Sequence, residues 1–171
     1  MVEKIDTRFP KDLNKTILNI LYNSDNWKFA VDLNLNTDTT KNDGGFTLCT
    51  YLDNAPYQDN VRLNCYAEVI FGLIKEQAPI NLKKIKRVFW NWYHSNSSTQ
   101  IHKDSQENNH YSIIYNIFDN DGGTEFFIND KRHFFKSVES QAILFPSNID
   151  HRGVQPNKHK NRFCLSMVAE I

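Results

Sequence analysis

The pattern that most constrains the fold is the succession of short apolar runs in the second half of the chain. From Ile85 onward, runs rich in β-branched and aromatic residues are separated by Asn, Asp, Gly and Ser. Chains with this pattern form antiparallel sandwiches or barrels. We predict strands near residues 87–93, 99–103, 110–118, 124–128, 133–137, 141–146, 150–154 and 161–168. This succession favours a mainly β fold of the jelly-roll type, the double-stranded β-helix, with buttressing helices.

Two segments of the first half have the spacing of amphipathic helices. We predict helices over residues 11–22, starting after Pro10, and over residues 61–76, ending before Pro79. The apolar positions are Leu13, Ile17, Ile20 and Leu21 in the first segment, and Tyr66, Val69, Ile70, Leu73 and Ile74 in the second.

The first half also contains two predicted strands, residues 27–33 and 46–52, joined by a polar segment, residues 37–45, that ends in a Gly-Gly turn. In the later strand 110–118, both alternating sets of side chains are largely apolar. One set is Tyr111, Ile113, Tyr115 and Ile117, and the other includes Ile114 and Phe118. Such a strand is covered on both faces. One face would line the barrel interior, and the N-terminal helices are the available cover for the other.

The length of 171 residues suits a single domain with a sizeable core. Residues 1–85 would form a helical and β support region, and residues 86–171 the jelly-roll core that carries the functional site. Lys plus Arg equal Asp plus Glu at 20 each, for a formal net charge of +0. The chain therefore lacks the electrostatic footprint of a protein that binds nucleic acid or an anionic membrane. A local basic strip is interpreted as a solvated face: Lys83, Lys84, Lys86 and Arg87.

Cysteine usage indicates a reducing compartment. Cys49, Cys65 and Cys164 are widely separated and show no Cys-x-x-Cys pairing, which argues against a disulfide framework and against a zinc knuckle. The N-terminus has acidic residues and no apolar signal-peptide core, and no run of about eighteen apolar residues occurs. We expect a cytoplasmic protein with no membrane partner.

A candidate metal site begins at His102, the only histidine followed two residues later by a carboxylate, that of Asp104. Six histidines in a chain with 20 acidic residues give roughly even odds of such a triplet by accident, so the triplet alone is weak. On an extended strand, however, residues i and i+2 point the same way, roughly 6.6 Å apart. His151, in the seventh predicted strand, would complete two histidines and one carboxylate, the ligand set of non-haem Fe(II) oxygenases.

Arg162 is the candidate for binding an acid cosubstrate beside this metal. It opens the last apolar run, so we expect it on the eighth strand next to the seventh. An arginine fork makes two parallel charge-assisted bonds to a carboxylate, where a lysine makes a point contact. Lys160 has the same strand parity and is the competing candidate.

Several motifs together resemble one enzyme family. They are Gln-Ile-His-Lys-Asp at 100–104, Tyr-Ser-Ile-Ile-Tyr-Asn at 111–116, Gly-Gly-Thr-Glu-Phe-Phe at 122–127, Leu-Phe-Pro-Ser at 144–147, His-Arg-Gly-Val-Gln-Pro at 151–156 and Arg-Phe-Cys-Leu-Ser at 162–166. Over about residues 87–169 the chain resembles the 2-oxoglutarate- and Fe(II)-dependent dioxygenases, specifically the small prolyl-hydroxylase-like branch found in bacteria and phages.

This resemblance implies roles for individual residues. His102, Asp104 and His151 would bind iron, and Arg162 would bind the distal carboxylate of 2-oxoglutarate. Two tyrosines would line the cosubstrate pocket: Tyr115, sharing that carboxylate, and Tyr93. The alternative for both is core packing with a satisfied hydroxyl. The implied cofactors are Fe(II), 2-oxoglutarate and dioxygen, with ascorbate as an optional addition.

The sequence departs from parts of the family pattern. Cys164 stands where many relatives have Ser, which weakens a second cosubstrate contact. Val168 stands where nucleic-acid demethylases carry a second arginine, and with zero net charge this argues against a nucleic-acid substrate. The resemblance favours a protein or peptide substrate, with a prolyl side chain first, and a free amino acid or other small molecule as the alternative.

The other titratable residues receive simpler interpretations. His94, His110, His133 and His159 are expected at the surface, with His110 the best rival ligand although it lacks a carboxylate partner. Glu125 is expected to serve a turn or the pocket rim. Two other functions stay open, namely a cupin-like metal- or ligand-binding module and a structural protein that kept the barrel and lost turnover.

Overall fold

The structure, a computed structural model, describes residues 2–30, 45–52, 55–56, 60–95, 97 and 99–171. The helices of these residues are α1 (Lys11–Tyr22) and α2 (Val61–Gln77). The strands are β1 (Glu3–Asp6), β2 (Lys28–Ala30), β3 (Gly45–Leu52), β4 (Ala55–Pro56), β5 (Lys84–His94), β6 (His110–Asn116), β7 (Gly123–Ile128), β8 (Lys131–Lys136), β9 (Gln141–Pro146), β10 (His151–Val154) and β11 (Asn161–Glu170). The chain is mainly β with two helices, as predicted.

The strands form two antiparallel sheets packed face to face. The larger sheet has the order β1-β9-β6-β11-β5-β3-β2, with β4 paired to β3. The smaller sheet has the order β10-β7-β8. Sequence neighbours are often not sheet neighbours: β11, at the end of the chain, lies between β5 and β6. This is the predicted double-stranded β-helix, extended at both edges of the larger sheet by strands from the first half of the chain.

The larger sheet is covered on both faces, as the apolar pattern of residues 110–118 predicts. Its outer face packs against the helices in a cluster that includes Ile17, Ile70, Trp90, Tyr115 and Leu165. Its inner face meets the smaller sheet in a second cluster of Ile114, Phe126, Ile143, Phe145 and Cys164. The helices therefore buttress one sheet from outside, and the space between the sheets is left for the site.

The buried stripe of each helix differs in part from the predicted one. Leu13 is 38% exposed and Val69 is 54% exposed. The stripe of α1 is Asn14, Ile17 and Leu21, and that of α2 includes Leu63, Ala67, Ile70 and Ile74. In α1 a polar residue replaces the expected leucine because Asn14 finds hydrogen-bond partners inside, the hydroxyls of Tyr115 and Ser140. Neither of these helices is long and apolar enough to cross a membrane.

The predicted strand at residues 99–103 is wrong. The segment makes a single bridge, between His102 and His151, instead of a ladder. Strand β1, which the sequence pattern did not reveal, pairs with β9 at an edge of the larger sheet. The predicted turn at residues 37–45 and the end of the predicted strand 27–33 lie largely outside the described residues.

Candidate metal centre

Backbone hydrogen bonds bring the three predicted metal ligands together. The N–H of His102 donates to the carbonyl of His151, and the N–H of His151 donates back, each at 2.9 Å. The N–H groups of Asp104 and Ser105 both donate to the carbonyl of Ser147, at 3.0 and 3.2 Å. The irregular segment is thus tied to β10 and to the turn before it. One ligand atom from each of His102, Asp104 and His151 lies within 4.8 Å of the others.

Each histidine is oriented by a carbonyl on the side away from the carboxylate. Nδ1 of His102 lies 3.0 Å from the carbonyl oxygen of Gln100, and Nδ1 of His151 lies 2.9 Å from that of Ile149. Because a carbonyl only accepts, each Nδ1 carries the proton. In the neutral rings this leaves the Nε2 lone pairs, which lie 3.9 and 3.4 Å from the oxygens of Asp104, for a metal. The donor set and its orientation fit a divalent ion of the iron class.

Asp104 is held as a carboxylate. Burial alone would raise its pKa, but His151, Arg87 and His102 together hold the pKa well below its usual range. Burial by itself would lower the pKa of His151, and the charge and hydrogen bond of Asp104 raise it overall. Burial and the neighbouring His151 lower the pKa of His102. The carboxylate and at least one neutral imidazole are therefore in the state that a metal requires.

Two side chains that were not predicted at the site hold the carboxylate of Asp104. Nη2 of Arg87 donates to Oδ1 of Asp104 at 2.8 Å, and the hydroxyl of Ser112 donates to Oδ2 at 2.6 Å. Ser112 also lies 2.8 Å from the hydroxyl of Ser147. The interpretation of Arg87 as part of a solvated basic strip is wrong, because its ion pair with Asp104 draws it into the site. Outer contacts of this kind fix the direction of a ligand and tune metal affinity.

Arg162 lies deep between the sheets although its guanidinium is charged. It is 1% exposed, and its Nε and Nη2 donate to Ser137 Oγ at 2.9 Å and Thr124 Oγ1 at 3.3 Å. Its Nη1 has no hydrogen-bond partner, and the described residues offer it no paired carboxylate. A buried cation without an anion is costly. The orphaned donor therefore fits an incoming carboxylate, whereas the rival Lys160 is exposed.

The two predicted pocket tyrosines lie on opposite faces of the larger sheet. Tyr93 on β5 is the register partner of Arg162, whose guanidinium carbon lies 5.1 Å from the centre of the tyrosine ring. A Cβ added at Gly153 would come within 2.9 Å of the same ring, so a larger residue there would displace the tyrosine. Burial raises the pKa of Tyr93, which keeps its hydroxyl protonated.

Tyr115 is not brought to the site. Its ring lies in the outer cluster against Phe9, and its hydroxyl donates to Oδ1 of Asn14 at 2.7 Å. The interior neighbour of this stretch is Asn116, whose Oδ1 accepts from Ser137, which in turn accepts from Arg162. Polar residues in the inward set of strand 110–118, Ser112 and Asn116, were the available signal for these missed positions.

The remaining candidates lie away from the metal ligands. Glu125 is not at a turn: it is a buried residue of β7. Nε of Arg152 donates to its carboxylate at 2.8 Å, Nη2 of Arg152 forms an ion pair with it at 2.8 Å, and Arg132 lies at 3.5 Å. His110 contacts the hydroxyl of Ser105 at 2.8 Å. His133 and His159 are exposed as expected. Cys164 is buried on the inner face, where burial raises the pKa of its thiol.

Similar solved structures include two prolyl hydroxylases and an epimerase. A Pseudomonas putida prolyl-4-hydroxylase has a TM-score of 0.68 at 14% identity, covering 99% of this chain and 92% of that chain. A Trichoplax adhaerens prolyl hydroxylase, in complex with a hypoxia inducible factor oxygen degradation domain peptide, has a TM-score of 0.72 at 13% identity, covering 99% and 83%. The epimerase SnoN in complex with Fe3+, alpha ketoglutarate and nogalamycin RO has a TM-score of 0.67 at 10% identity, covering 99% and 78%.

No protein-family model matches the sequence, and no curated protein matches it either. The structural likeness spans nearly the whole chain, both sheets and both helices included. This chain therefore has the double-stranded β-helix fold of the 2-oxoglutarate- and Fe(II)-dependent oxygenases, in the form seen in prolyl hydroxylases.

Proposed function

We propose that this protein is an Fe(II)- and 2-oxoglutarate-dependent dioxygenase that hydroxylates a C–H bond of its substrate. The observation that carries the proposal is the conjunction of two features in the space between the two sheets. Three oriented ligands, His102, Asp104 and His151, lie within reach of one ion, and Arg162 presents a buried donor that has no partner among the described residues. Structural histidines and arginines do not need both arrangements together.

His102, Asp104 and His151 would hold one face of the ion and leave three positions open. With dioxygen, the iron and 2-oxoglutarate supply oxidative decarboxylation to succinate and carbon dioxide, coupled to insertion of one oxygen atom into the substrate. Arg162 would bind the distal carboxylate, with Ser137 and Thr124 fixing its guanidinium. Phe126 and Phe145, which pack on His151, would keep water from that side of the ion.

A protein or peptide side chain, with proline first, is the substrate that the prolyl-hydroxylase likeness favours. One similar structure holds a peptide, and another holds a small molecule. A free amino acid or other small metabolite is therefore the alternative substrate class.

Metal-dependent cosubstrate binding tests the proposal without knowledge of the substrate. Mn(II) replaces Fe(II) under air, and 2-oxoglutarate should raise the melting temperature only when the metal is present. At a hundredfold excess over Kd the stabilisation is about 2.7 kcal/mol, roughly 5–10 °C for a chain of this size. His102→Ala should abolish the shift, and the exposed His133→Ala is the matched control.

Succinate formation from 2-oxoglutarate with Fe(II), with and without ascorbate, is the second measurement. It should fall at least about a hundredfold in His102→Ala and be unchanged in His133→Ala. Metal binding without any effect of 2-oxoglutarate would instead support a cupin-like binding module. Equal succinate formation in both variants would remove the assignment.

A further inference from the structure

A second guanidinium, that of Arg87, lies at the other end of the inner face from Arg162. On β11 the register partner of Tyr93 is Arg162, and the partner of Arg87 is Val168. Six residues of strand separate the two positions, roughly 20 Å at about 3.3 Å per residue. The two cations therefore lie at opposite ends of the inner face, and Arg87 lies at the end where Asp104 holds the metal.

Arg87 lies nearer to solvent than the carboxylate to which it bonds. Its side chain is 23% exposed, and that of Asp104 is 7% exposed. Its guanidinium has five N–H groups. Among the described residues, one N–H on Nη2 donates to a protein partner, Asp104. The guanidinium carbon lies 5.0 Å from the centre of the Phe89 ring, which holds the group in place. Arg87 thus offers further donors at the exposed edge of the metal ligands.

The balance of formal charge at the site assigns a sign to the substrate. A ferrous ion with Asp104 and two neutral histidines carries one positive charge. A 2-oxoglutarate dianion neutralises that charge and the charge of Arg162. Arg87 then leaves one positive charge in excess, because the carboxylate of Glu125 is occupied by Arg152 and Arg132. An uncompensated charge that loses its water is costly, so the group that displaces solvent from Arg87 should be an anion.

We propose that Arg87 binds a carboxylate of the substrate and thereby places the neighbouring C–H bond at the open face of the metal. The inference rests on the proposed function, and it names the chemical class of the substrate. An arginine fork can keep its bond to Asp104 through Nη2 and offer its remaining donors to a second carboxylate. The carboxylate is either that of a free amino acid or that of an acidic side chain in a peptide.

Pairs of acids and amides test the proposal in the protein loaded with Mn(II) and 2-oxoglutarate. One pair is L-proline and L-prolinamide, and the other is a capped proline-containing tripeptide carrying Asp and the same peptide carrying Asn. Dissociation constants come from titrations followed by melting temperature. In at least one pair the acid should bind roughly tenfold more tightly than its amide. The pair that discriminates identifies the source of the carboxylate.

Variants of Arg87 separate substrate binding from support of Asp104. Arg87→Gln should reduce the preference for the acid to less than about twofold, and Arg87→Lys should keep part of that preference. Arg62→Gln, a matched change at an exposed position of α2, should keep the full preference. Equal binding of acid and amide by the wild type, including no binding of either, overturns the proposal. The proposal is also overturned if the preference for the acid survives in Arg87→Gln, or if Arg87→Gln weakens Mn(II) binding alone. If the wild type shows no metal-dependent binding of 2-oxoglutarate, the proposed function fails first, and this inference fails with it.

Discussion

The two faces of the larger sheet are both buried along β11 but are built from different chemistry. Along β11 the outward residues are Phe163, Leu165, Met167 and Ala169, and the inward residues are Arg162, Cys164, Ser166 and Val168, all of them buried. The outer set is apolar throughout and packs against the helices. The inner set begins with a charge and includes a hydroxyl and a thiol. Burial alone therefore does not distinguish a core from a functional site. The distinction is whether the buried groups are polar or charged and require a partner.

On the outer face the polar groups of Asn14, Tyr115 and Ser140 bond to one another, and the buried group left without a partner in that cluster among the described residues, Nε1 of Trp90, is neutral. On the inner face Arg162 keeps a donor that the described residues leave without a partner. The outer face thus supplies stability, whereas the inner face bears an electrostatic cost that a ligand would offset. Mutations on the two faces should affect different measurements.

Removal of outer-face volume should produce the largest change in stability. Leu165 is fully buried, with Trp90 and Tyr115 as its register partners on β5 and β6. Leu165→Ala should lower the free energy of unfolding by about 2–5 kcal/mol, since it combines lost burial with a cavity. Urea denaturation measures the change. The affinity of the surviving folded protein for 2-oxoglutarate should stay within about twofold, and a larger loss would mean that the two faces are not separable.

Replacement of Arg162 on the inner face should have the opposite effect, a large loss of 2-oxoglutarate affinity with little loss of stability. Arg162→Met should weaken 2-oxoglutarate binding roughly a hundredfold, equivalent to about 2.7 kcal/mol, because two charge-assisted bonds are lost. The free energy of unfolding should fall by no more than about 1 kcal/mol, since the variant also removes an unpaired buried charge. Calorimetric titration with 2-oxoglutarate in the presence of Mn(II) gives the affinity. Arg162→Lys, which keeps the charge without the fork, should fall between Met and wild type.

Removal of a hydrogen bond to Asp104 should have a smaller effect, confined to the affinity for the metal. Ser112→Ala removes the 2.6 Å hydrogen bond to Oδ2 and should weaken Mn(II) binding about tenfold. Ser166→Ala is the matched control, because Ser166 is a buried serine on β11 that faces the same inner side of the larger sheet. A comparable loss in both variants would show that the effect comes from general disturbance of the inner face.

Local sequence periodicity was sufficient for both helices and for most of the strands. The spacing of apolar residues located both helices, and short β-rich runs separated by turn residues located β5 to β11 to within a few residues. The strand predicted at residues 99–103 failed because what orders this segment is distant in sequence. The segment is held by bonds to the backbones of Ser147 and His151, and the two-residue repeat of a strand was only one of several ways to make His102 and Asp104 converge.

The site residues that are distinctive by residue type could be predicted from the sequence. The residues whose role depends on which face of the larger sheet they occupy could not. Two histidines, an aspartate and an arginine are distinctive by type. Tyr115 is not, because both alternating sets of strand 110–118 are largely apolar, and the sign of which set faces inward is limited to the polar residues Ser112 and Asn116. Arg87 appeared to belong to a basic strip because its neighbours Lys83, Lys84 and Lys86 have the same charge. Only the register with β11 places Arg87 on the inner face.

The two tyrosines give the finest comparison between the faces, since the same substitution applies to both. Tyr115→Phe deletes a buried hydroxyl that bonds to Asn14 and should lower the free energy of unfolding by about 1 kcal/mol, with no change in 2-oxoglutarate affinity. Tyr93→Phe keeps the ring over Arg162 and should leave stability nearly unchanged, while any contact of its hydroxyl with the cosubstrate would appear as a several-fold weaker affinity. Urea denaturation and titration of both variants decide the matter. A loss of 2-oxoglutarate affinity in Tyr115→Phe would contradict the placement of that residue on the outer face, because a hydroxyl bonded to α1 cannot reach a ligand held by Arg162 on the opposite side of the sheet.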